Sequence, residues 1–103
     1  MLIVTTENIP GKEYDVLGIV KGNIVTSKHV GRDIAAGLKS IVGGELSGYT
    51  EMLNDARTTA TTRMINEAQT LRADAVVNVR YASAAIMQGS AEMIAYGTAV
   101  KFK

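Results

Sequence analysis

The side chains best suited to hold a metal in this chain are one histidine and a few carboxylates. His29 is the single histidine among 103 residues, and cysteine is absent. Transition-metal sites combine several imidazole nitrogens or thiolates, so one chain cannot build such a site in the usual way. A transition-metal site would therefore need several subunits, with copies of His29 or of a carboxylate meeting around the axis of a ring. Lys28 and Arg32 lie close in sequence and disfavour a cation, so a surface or helix-start histidine is the favoured interpretation.

A second group combines acidic residues, a phenol and a guanidinium. In a functional interpretation, Glu45 and Glu51 supply oxygen ligands to a divalent metal beside Tyr49, and Arg57 binds an anion. In a structural interpretation, Glu51 and Asp55 suit the N-terminal half of a helix, and Arg57 pairs with one of these acids on the surface or across a subunit boundary. We favour the structural interpretation, because ion-pair networks that only stabilise a fold bring together the same residue types as a functional site.

Two polar residues interrupt an apolar strand near the end of the chain. Asn78 and Arg80 would hydrogen-bond a partner if their face lies at a subunit junction, or contact a small anion if it lines a pore. The interface role is favoured. No nucleophile elbow or phosphate-binding glycine motif occurs, and one histidine leaves little scope for a triad. We therefore predict no catalytic residues and no enzyme.

Composition limits the partners. Eleven basic and ten acidic residues give a net charge of +1, so no global field favours nucleic acid. No apolar run approaches the length of a membrane span, and the first residues lack the basic region of a signal peptide. We expect a cytoplasmic protein without nucleic-acid or membrane partners, and a single domain over residues 1–103 with a core drawn from its 47% hydrophobic residues.

The first half of the chain predicts strands. Residues 2–5 form a short β-branched run, and residues 14–26 form a long extended segment with apolar residues on both parities. Gly18 and Gly22 interrupt this segment, which favours a bend, a bulge or a close backbone approach. Gly22 and Asn23 would alternatively form a tight turn that splits the segment in two.

Two helices and two strands follow. Apolar spacing predicts a short helix over residues 30–41 that ends at Gly43 and Gly44. A long helix, capped by Ser47 or Thr50, then carries a buried stripe at a period of 3.6 residues. Its members are Leu53, Ala56, Ala60, Met64, Ala68 and Leu71. Residues 75–81 and 92–102 read as an antiparallel pair of strands, joined by a flexible loop over residues 82–90.

These elements give an α+β fold, in which one short and one long helix pack on a mostly antiparallel sheet. One helical layer cannot cover both faces of strands that are apolar on both parities, such as the strand containing Val76, Val77 and Val79. Large exposed apolar patches are rare on monomers, so the uncovered face is expected to meet another copy of the chain.

Several segments, in order and at matching separations, resemble the YbjQ family of small prokaryotic proteins. These segments are Gly43-Gly44-Glu45, Tyr49, Met52-Leu53, Ala56-Arg57, Met64, Ala68, Ala73-Asp74-Ala75-Val76-Val77-Asn78-Val79-Arg80 and Ala95-Tyr96-Gly97-Thr98-Ala99-Val100. The resemblance covers nearly the whole chain. It implies a dodecin-like subunit that assembles into a ring, expected to be a pentamer, and heavy-metal binding, but it brings no catalytic residues.

Three functions remain open at this point. The first is a non-enzymatic, ring-forming binding protein with a divalent metal as the ligand that the resemblance implies. The second is a carrier that, like dodecins, holds a planar small molecule between subunits, although the chain has no tryptophan. The third is a scaffold without a ligand.

Overall fold

The computed structural model describes residues 1–27, 41–42 and 45–103. The strands are β1 (Leu2–Ile3), β2 (Tyr14–Ser27), β3 (Ile41–Val42), β4 (Glu45–Leu46), β5 (Ala75–Met87) and β6 (Ser90–Phe102), and the helix α1 spans Ser47–Thr70. The short helix predicted over residues 30–41 and its glycine stop lie outside the described residues, except for Ile41, which belongs to β3.

The main sheet has four strands in the order β1-β5-β6-β2. Its pairs β2·β6 and β5·β6 are antiparallel, whereas β1 runs parallel to β5. The sheet is therefore mixed, and α1 packs on one of its faces, as expected for an α+β fold. β2 is one continuous strand: Gly22 pairs with Ala95 and Asn23 with Ile94, so the alternative of a turn at Gly22 and Asn23 is wrong.

The predicted stripe on α1 forms the main core. Ala56, Ala60, Met64 and Ala68 are buried against the sheet, while Leu53 is half-buried at the margin of this core. Leu71 is exposed and follows the last residue of the helix, so the stripe ends one turn earlier than predicted. The strands contribute the following buried residues to the same cluster: Val20, Val76, Val79, Met93, Ala95 and Ala99.

The two glycines of β2 have different roles. A Cβ atom on Gly22 would collide with the carbonyl oxygen of Ala60 and the amide nitrogen of Met64, so the helix and strand touch backbone to backbone there. Gly18 has φ of 140° and lies at a register shift between β2 and β6. The sequence prediction of a close approach or a bulge is thus confirmed, with one of each.

A second bulge changes which face each side chain of β5 occupies. The register with β6 shifts between Val77 and Arg80, and Asn78 has a positive φ of 54°. Val76 and Val79 consequently both belong to the cluster beneath the helix, although they are three residues apart. In a regular strand, alternate side chains point to the same face of the sheet, which would place Val77 and Val79 on one face. That expectation is wrong here because the bulge adds a residue between them.

The connection between β5 and β6 is much shorter than predicted. β5 continues to Met87 and β6 begins at Ser90, so the expected flexible loop over residues 82–90 is mostly strand. Only Gln88 and Gly89 join the two strands, and Gly89 has φ of 75°. Residues 82–87 are small or apolar without clear alternation, and their strand conformation comes from pairing with β6 rather than from their own composition.

Among the residues that the structure describes, the face of the sheet opposite α1 has cover at one end only. Ala75, Val77 and Val100 are buried there beneath Val4 and Ile9 of the N-terminal segment, with Tyr14 and Phe102 at the margin. Towards the β5–β6 turn, every residue of β5 after Val79 is exposed. The Cα radius of gyration is 16.9 Å, compared with about 13 Å for a compact domain of this length. The chain is therefore less compact than is usual for its length, and among the described strands the second half of β5 pairs with β6 alone and forms an open edge of the sheet.

Candidate functional site

A groove runs between the polar face of α1 and the part of β5 that follows the bulge. It encloses ≈ 440 Å³. We call it the polar groove and define it by its lining residues: Asn54, Arg57, Thr58, Thr61, Thr62 and Tyr81. The helical members lie three and four residues apart, which places them on one side of the helix. Tyr81 reaches the groove because the bulge at Asn78 turns its side chain towards α1.

Hydrogen bonds order the walls of the polar groove. Arg57 donates from Nη1 to Asn54 Oδ1 over 3.0 Å. Thr61 Oγ1 lies 2.7 Å from the carbonyl oxygen of Arg57 and 2.8 Å from Tyr81 Oη. Because the single hydroxyl proton of Thr61 is donated to that carbonyl, Tyr81 is the donor in the second bond. The groove thus contains a positioned guanidinium beside a positioned phenol.

An acidic groove lies near the start of α1, where the helix meets the end of β2. It encloses ≈ 270 Å³ and is lined by Thr26, Ser27, Gly48, Glu51, Met52 and Asp55. Glu51 and Asp55 are four residues apart and exposed. Carboxylates and hydroxyls are oxygen donors, which suit hard cations such as Ca²⁺ or Mg²⁺ better than heavy metals.

The predicted metal ligands are not brought together in the part of the chain that the structure describes. Within that part, no three residues of the types His, Cys, Asp and Glu are grouped closely enough to hold a metal ion. Glu51 lines the acidic groove, and Glu45 belongs to β4. His29 lies outside the described residues, so its part in a metal site stays a prediction.

The predicted ligand and interface residues are spread over the molecule. Tyr49 is half-buried in α1. Arg57 lines the polar groove, and among the described residues of one chain it forms no ion pair with Glu51 or Asp55. Pairing with an acid across a subunit boundary stays a prediction. The Arg57 guanidinium bonds the amide of Asn54, because both acids line the other groove.

Asn78 and Arg80 both lie at the bulge. Asn78 adopts the left-handed conformation, which asparagine tolerates better than most residues, and its amide donates to the Thr6 carbonyl oxygen. Arg80 donates from Nη1 to the carbonyl oxygens of Thr5, at 2.8 Å, and Val79. Both residues therefore stabilise the contact between the N-terminal segment and β5 within one chain, and a role at a subunit junction stays a prediction.

The face of the sheet opposite α1 exposes apolar side chains on three strands. We call this surface the open face and define it by Ile19, Val25, Ile94 and Tyr96 with the neighbouring Ala82 and Ala84 of β5. Ile19 is 78% exposed, Val25 56% and Tyr96 41%. Lys21 pairs with Tyr96, and Tyr96 with Arg80, so a row with two basic residues crosses this face.

One carboxylate has a clearly shifted pKa. The backbone N–H of Phe102 donates to Asp74 Oδ2 over 2.8 Å and lowers the pKa of Asp74 below its ordinary value of 3.8. Lys101, with Nζ 3.3 Å from Asp74 Oδ1, acts in the same direction. Asp74 joins the segment after α1 to the end of β6 and lines neither groove, and we assign it a structural role.

Sequence reasoning did not identify the polar groove. The available signal was the run of polar residues around Arg57, namely Asn54, Thr58, Thr61 and Thr62, which share one side of α1. Tyr81 could not be assigned to them, because its side depends on the bulge at Asn78.

Comparison with known proteins identifies close relatives. The model of the YbjQ family, described as "Putative heavy-metal-binding", matches residues 1–103. A UPF0145 protein from Thermosipho africanus is 61% identical, and the alignment covers 100% of this chain and 96% of the relative. A UPF0145 protein from Colwellia psychrerythraea is 58% identical, with 100% of this chain and 99% of the relative covered.

A solved structure shares the fold. The crystal structure of a protein of unknown function from the DUF74 family of Pediococcus pentosaceus superposes with a TM-score of 0.68. The superposition covers 100% of this chain and 98% of the other, at 16% sequence identity. At that identity the likeness shows the fold alone. Among the described residues, no helix has the length and apolar character needed to cross a membrane.

Proposed function

Because the chain belongs to the YbjQ family, we propose that it is a non-enzymatic binding protein that works as a homo-oligomer, with the open face as a subunit interface. The observation that carries this proposal is the exposure of apolar side chains on a regular sheet. Ile19 and Val25 lie on β2, and 13 of the 14 residues of this strand pair with β6. Both side chains are exposed, and no other described element packs on them.

The exposed end of β5 supports the same proposal. Ile86 is 51% exposed and Met87 67%. Among the described strands this end of β5 pairs with β6 alone, so its outer edge is open to contact with another chain. Burying a side chain such as Ile86 contributes about 1.5 to 3 kcal/mol. The open face and this end of β5 together offer the apolar surface that a stable subunit contact requires.

Charge on the open face is compatible with self-association. Lys21 and Arg80 occupy one cross-strand row, and Glu92 occupies another row closer to the β5–β6 turn. Opposite charges at separated positions of one surface can complement each other in two copies of a chain. Such charges favour one register of association over others more than they add affinity.

Sedimentation velocity tests the proposed interface. Ile19→Lys places an ammonium on the open face, and because Ile19 is 78% exposed, the subunit itself should fold normally. We expect this variant to dissociate at concentrations at which the parent is assembled, since an unpaired charge would be buried at the contact. Asn66→Lys, on an exposed position of α1, adds the same charge elsewhere and should leave assembly unchanged.

Val76 is not suitable for this test. It is fully buried in the cluster between the sheet and α1. Val76→Lys would therefore disrupt the core of one subunit, and its effect on assembly would reflect unfolding. The expectation that the apolar residues of β5 near Val76 face a partner is corrected in favour of Ile19, Val25 and Tyr96.

Heavy metals are the ligand class that the family description names. Among the described residues of one chain, no three His, Cys, Asp or Glu side chains are grouped to hold a metal, and the acidic groove offers hard oxygen ligands with a single thioether, that of Met52. In our proposal, any heavy-metal site is therefore shared between subunits. Its nitrogen donors would be copies of His29, because the sequence contains no other imidazole and no thiol.

Calorimetric titration with Zn²⁺ separates the two outcomes for His29. Tight binding in the parent that His29→Ala abolishes would support a shared nitrogen site. The flanking Lys28 and Arg32 lead us to expect the opposite result, with weak binding that His29→Ala leaves unchanged. Glu51→Gln is the matched control at the acidic groove and should leave Zn²⁺ binding unchanged.

A second candidate function is a carrier for a planar ligand between subunits. The observation that favours it is Tyr96, an aromatic side chain that is 41% exposed in the middle of the open face. If two open faces meet, copies of Tyr96 can approach a flat molecule from both sides. An absorption spectrum of the purified protein tests this function: a chromophore that Tyr96→Ala removes would support it, and a spectrum of tyrosine alone would not.

A further inference from the structure

We propose that the polar groove is a binding site for a small organic oxyanion, with Arg57 as the group that binds the anion and Tyr81 as the wall against which the rest of the ligand packs. This site goes beyond the proposed assembly function, because it lies between α1 and β5 and uses none of the residues that define the open face.

The charge of the groove favours an anion. Its lining contains one guanidinium and no carboxylate. Arg57 uses one of its five N–H donors on Asn54, a neutral partner, and forms no ion pair within the described part of the chain. The planar guanidinium retains donors in the fork geometry that matches carboxylate and phosphate oxygens.

Other arginines of the chain are engaged differently. Arg63, on the same helix, donates from Nη1 to the backbone carbonyl oxygen of Asn23 over 2.7 Å. Arg80 donates to two backbone carbonyl oxygens. These two guanidinium groups connect parts of the fold, whereas the bond from Arg57 to Asn54 joins two side chains on one helix and positions the guanidinium at the groove.

Hydroxyl groups extend the polar lining. Thr58 and Thr62 are exposed in the groove on either side of Thr61, and each hydroxyl can donate to an oxyanion. Tyr81 donates its proton to Thr61, because Thr61 donates to the Arg57 carbonyl oxygen. The phenol is therefore held in place as a wall and does not compete with Arg57 as an anion donor.

The size of the groove indicates an organic ligand. Its volume of ≈ 440 Å³ falls within the range of about 300 to 1,000 Å³ that is usual for small-molecule sites. A free inorganic anion would fill only part of that space. The ring of Tyr81 and the methyl groups of the threonines supply apolar surface for the body of the molecule. The chemistry shared by all suitable ligands is one carboxylate or phosphate on a small ring.

Binding of two probe anions tests the site. Phenyl phosphate and sodium benzoate differ in the oxyanion, and benzyl alcohol is the neutral counterpart with the same ring. Titration is followed in ¹H–¹⁵N spectra of the assembled parent protein. We expect saturable shifts of the Thr58, Thr62 and Tyr81 amides with at least one anion and none with benzyl alcohol. The stronger anion identifies the ligand as a phosphate ester or a carboxylate.

Three variants assign the binding to named residues. Arg57→Gln should weaken the stronger anion about tenfold or more, because hydrogen bonds to charged groups are the strong ones. Arg57→Lys should lie between parent and Arg57→Gln, since it keeps the charge but loses the fork. Arg72→Gln removes the same charge at an exposed position after α1 and should change affinity by less than about twofold, which reflects screened long-range charge.

Three results would overturn the proposal. The first is an Arg57→Gln variant that binds the anion as tightly as the parent protein. The second is that benzyl alcohol competes with the anion for the groove as well as an unlabelled anion would. The third is that neither anion produces saturable shifts at millimolar concentration. Arg57 is exposed, so Arg57→Gln should fold like the parent, and circular dichroism of each variant checks this point. A Tyr81→Ala variant provides an independent test, because losing the wall should weaken the anion while Arg57 is intact.

Discussion

Thr61 Oγ1 and Tyr81 Oη lie 2.8 Å apart and connect α1 to the part of β5 that follows the bulge. Without the extra residue at Asn78, the side chain of Tyr81 would lie on the other face of the sheet. The bulge at Asn78 therefore determines two features. It places Tyr81 in the wall of the polar groove, and it sets the position at which the second half of β5 is bonded to α1.

The first prediction concerns this hydrogen bond. Tyr81→Phe should lower the free energy of unfolding by about 1 kcal/mol, because a typical intramolecular hydrogen bond contributes that amount. Chemical denaturation at fixed protein concentration measures the change. In a double-mutant cycle with Thr61→Val, the two residues should show a coupling energy of about 0.5 kcal/mol or more. Strictly additive effects would contradict a direct bond between them.

The second prediction concerns the contact of β2 with α1. Gly22→Ala should destabilise the subunit by about 3 kcal/mol, because the added methyl group meets backbone atoms of Ala60 and Met64 that cannot rotate away. Urea denaturation checks this value. Gly11→Ala is the control: no atom lies within 4 Å of its Cβ position, and only its φ of 74° opposes the change. We expect the control to cost about 1 kcal/mol.

The contributions of sequence and tertiary context can be separated at particular residues. The helix period predicted that Ala56, Ala60, Met64 and Ala68 face the sheet, because a regular helix has one fixed rotation per residue. The two-fold alternation of β5 failed after Val77, because the bulge with the left-handed Asn78 changes the parity of the residues from Arg80 to Ala85, and the register shifts again before Met87.

In the candidate sites, too, some features depend on the sequence alone and others on tertiary contacts. Arg57 and Glu51 were identified from the sequence, since charged side chains on a helix are recognisable by type and spacing. Their separation into two grooves was not predictable, because it depends on which strand approaches each side of α1. The predicted loop over residues 82–90 failed because cross-strand pairing, a property of two segments together, outweighs the weak preferences of alanine and serine.

The third prediction concerns the end of α1. Arg72 has φ of 59°, its amide donates to the Gln69 carbonyl oxygen, and the Ala73 amide donates to the Ala68 carbonyl oxygen. This is the Schellman pattern, in which glycine is the preferred residue at the left-handed position. Arg72→Gly should therefore raise the free energy of unfolding by about 0.5 to 1 kcal/mol.

Thermal unfolding at one protein concentration measures this gain. Arg72→Ala is the matched control, because it removes the same side chain but keeps a Cβ atom at the left-handed position. We expect no stabilisation from the alanine variant. Equal stabilisation by both variants would mean that removal of the charge, rather than relief of backbone strain, is responsible.

The fourth prediction concerns pH. The pKa of Asp74 is lowered in the folded protein, chiefly by the hydrogen bond from the Phe102 amide. Its carboxylate therefore contributes stability that is fully present above the ordinary pKa of 3.8 and is lost as pH falls through the lower, folded pKa. Asp74→Asn should reduce stability at neutral pH and flatten its decline in acid. An unchanged acid profile would show that other carboxylates dominate it.

The central claim is that the protein assembles through the open face. Native mass spectrometry of the purified parent and of Ile19→Lys measures this most directly. We predict that the parent has a single closed homo-oligomeric mass, with the pentamer expected from the family resemblance, and that Ile19→Lys appears as a folded monomer. A parent that is monomeric at micromolar concentration, or an assembly that Ile19→Lys leaves intact, would contradict this account.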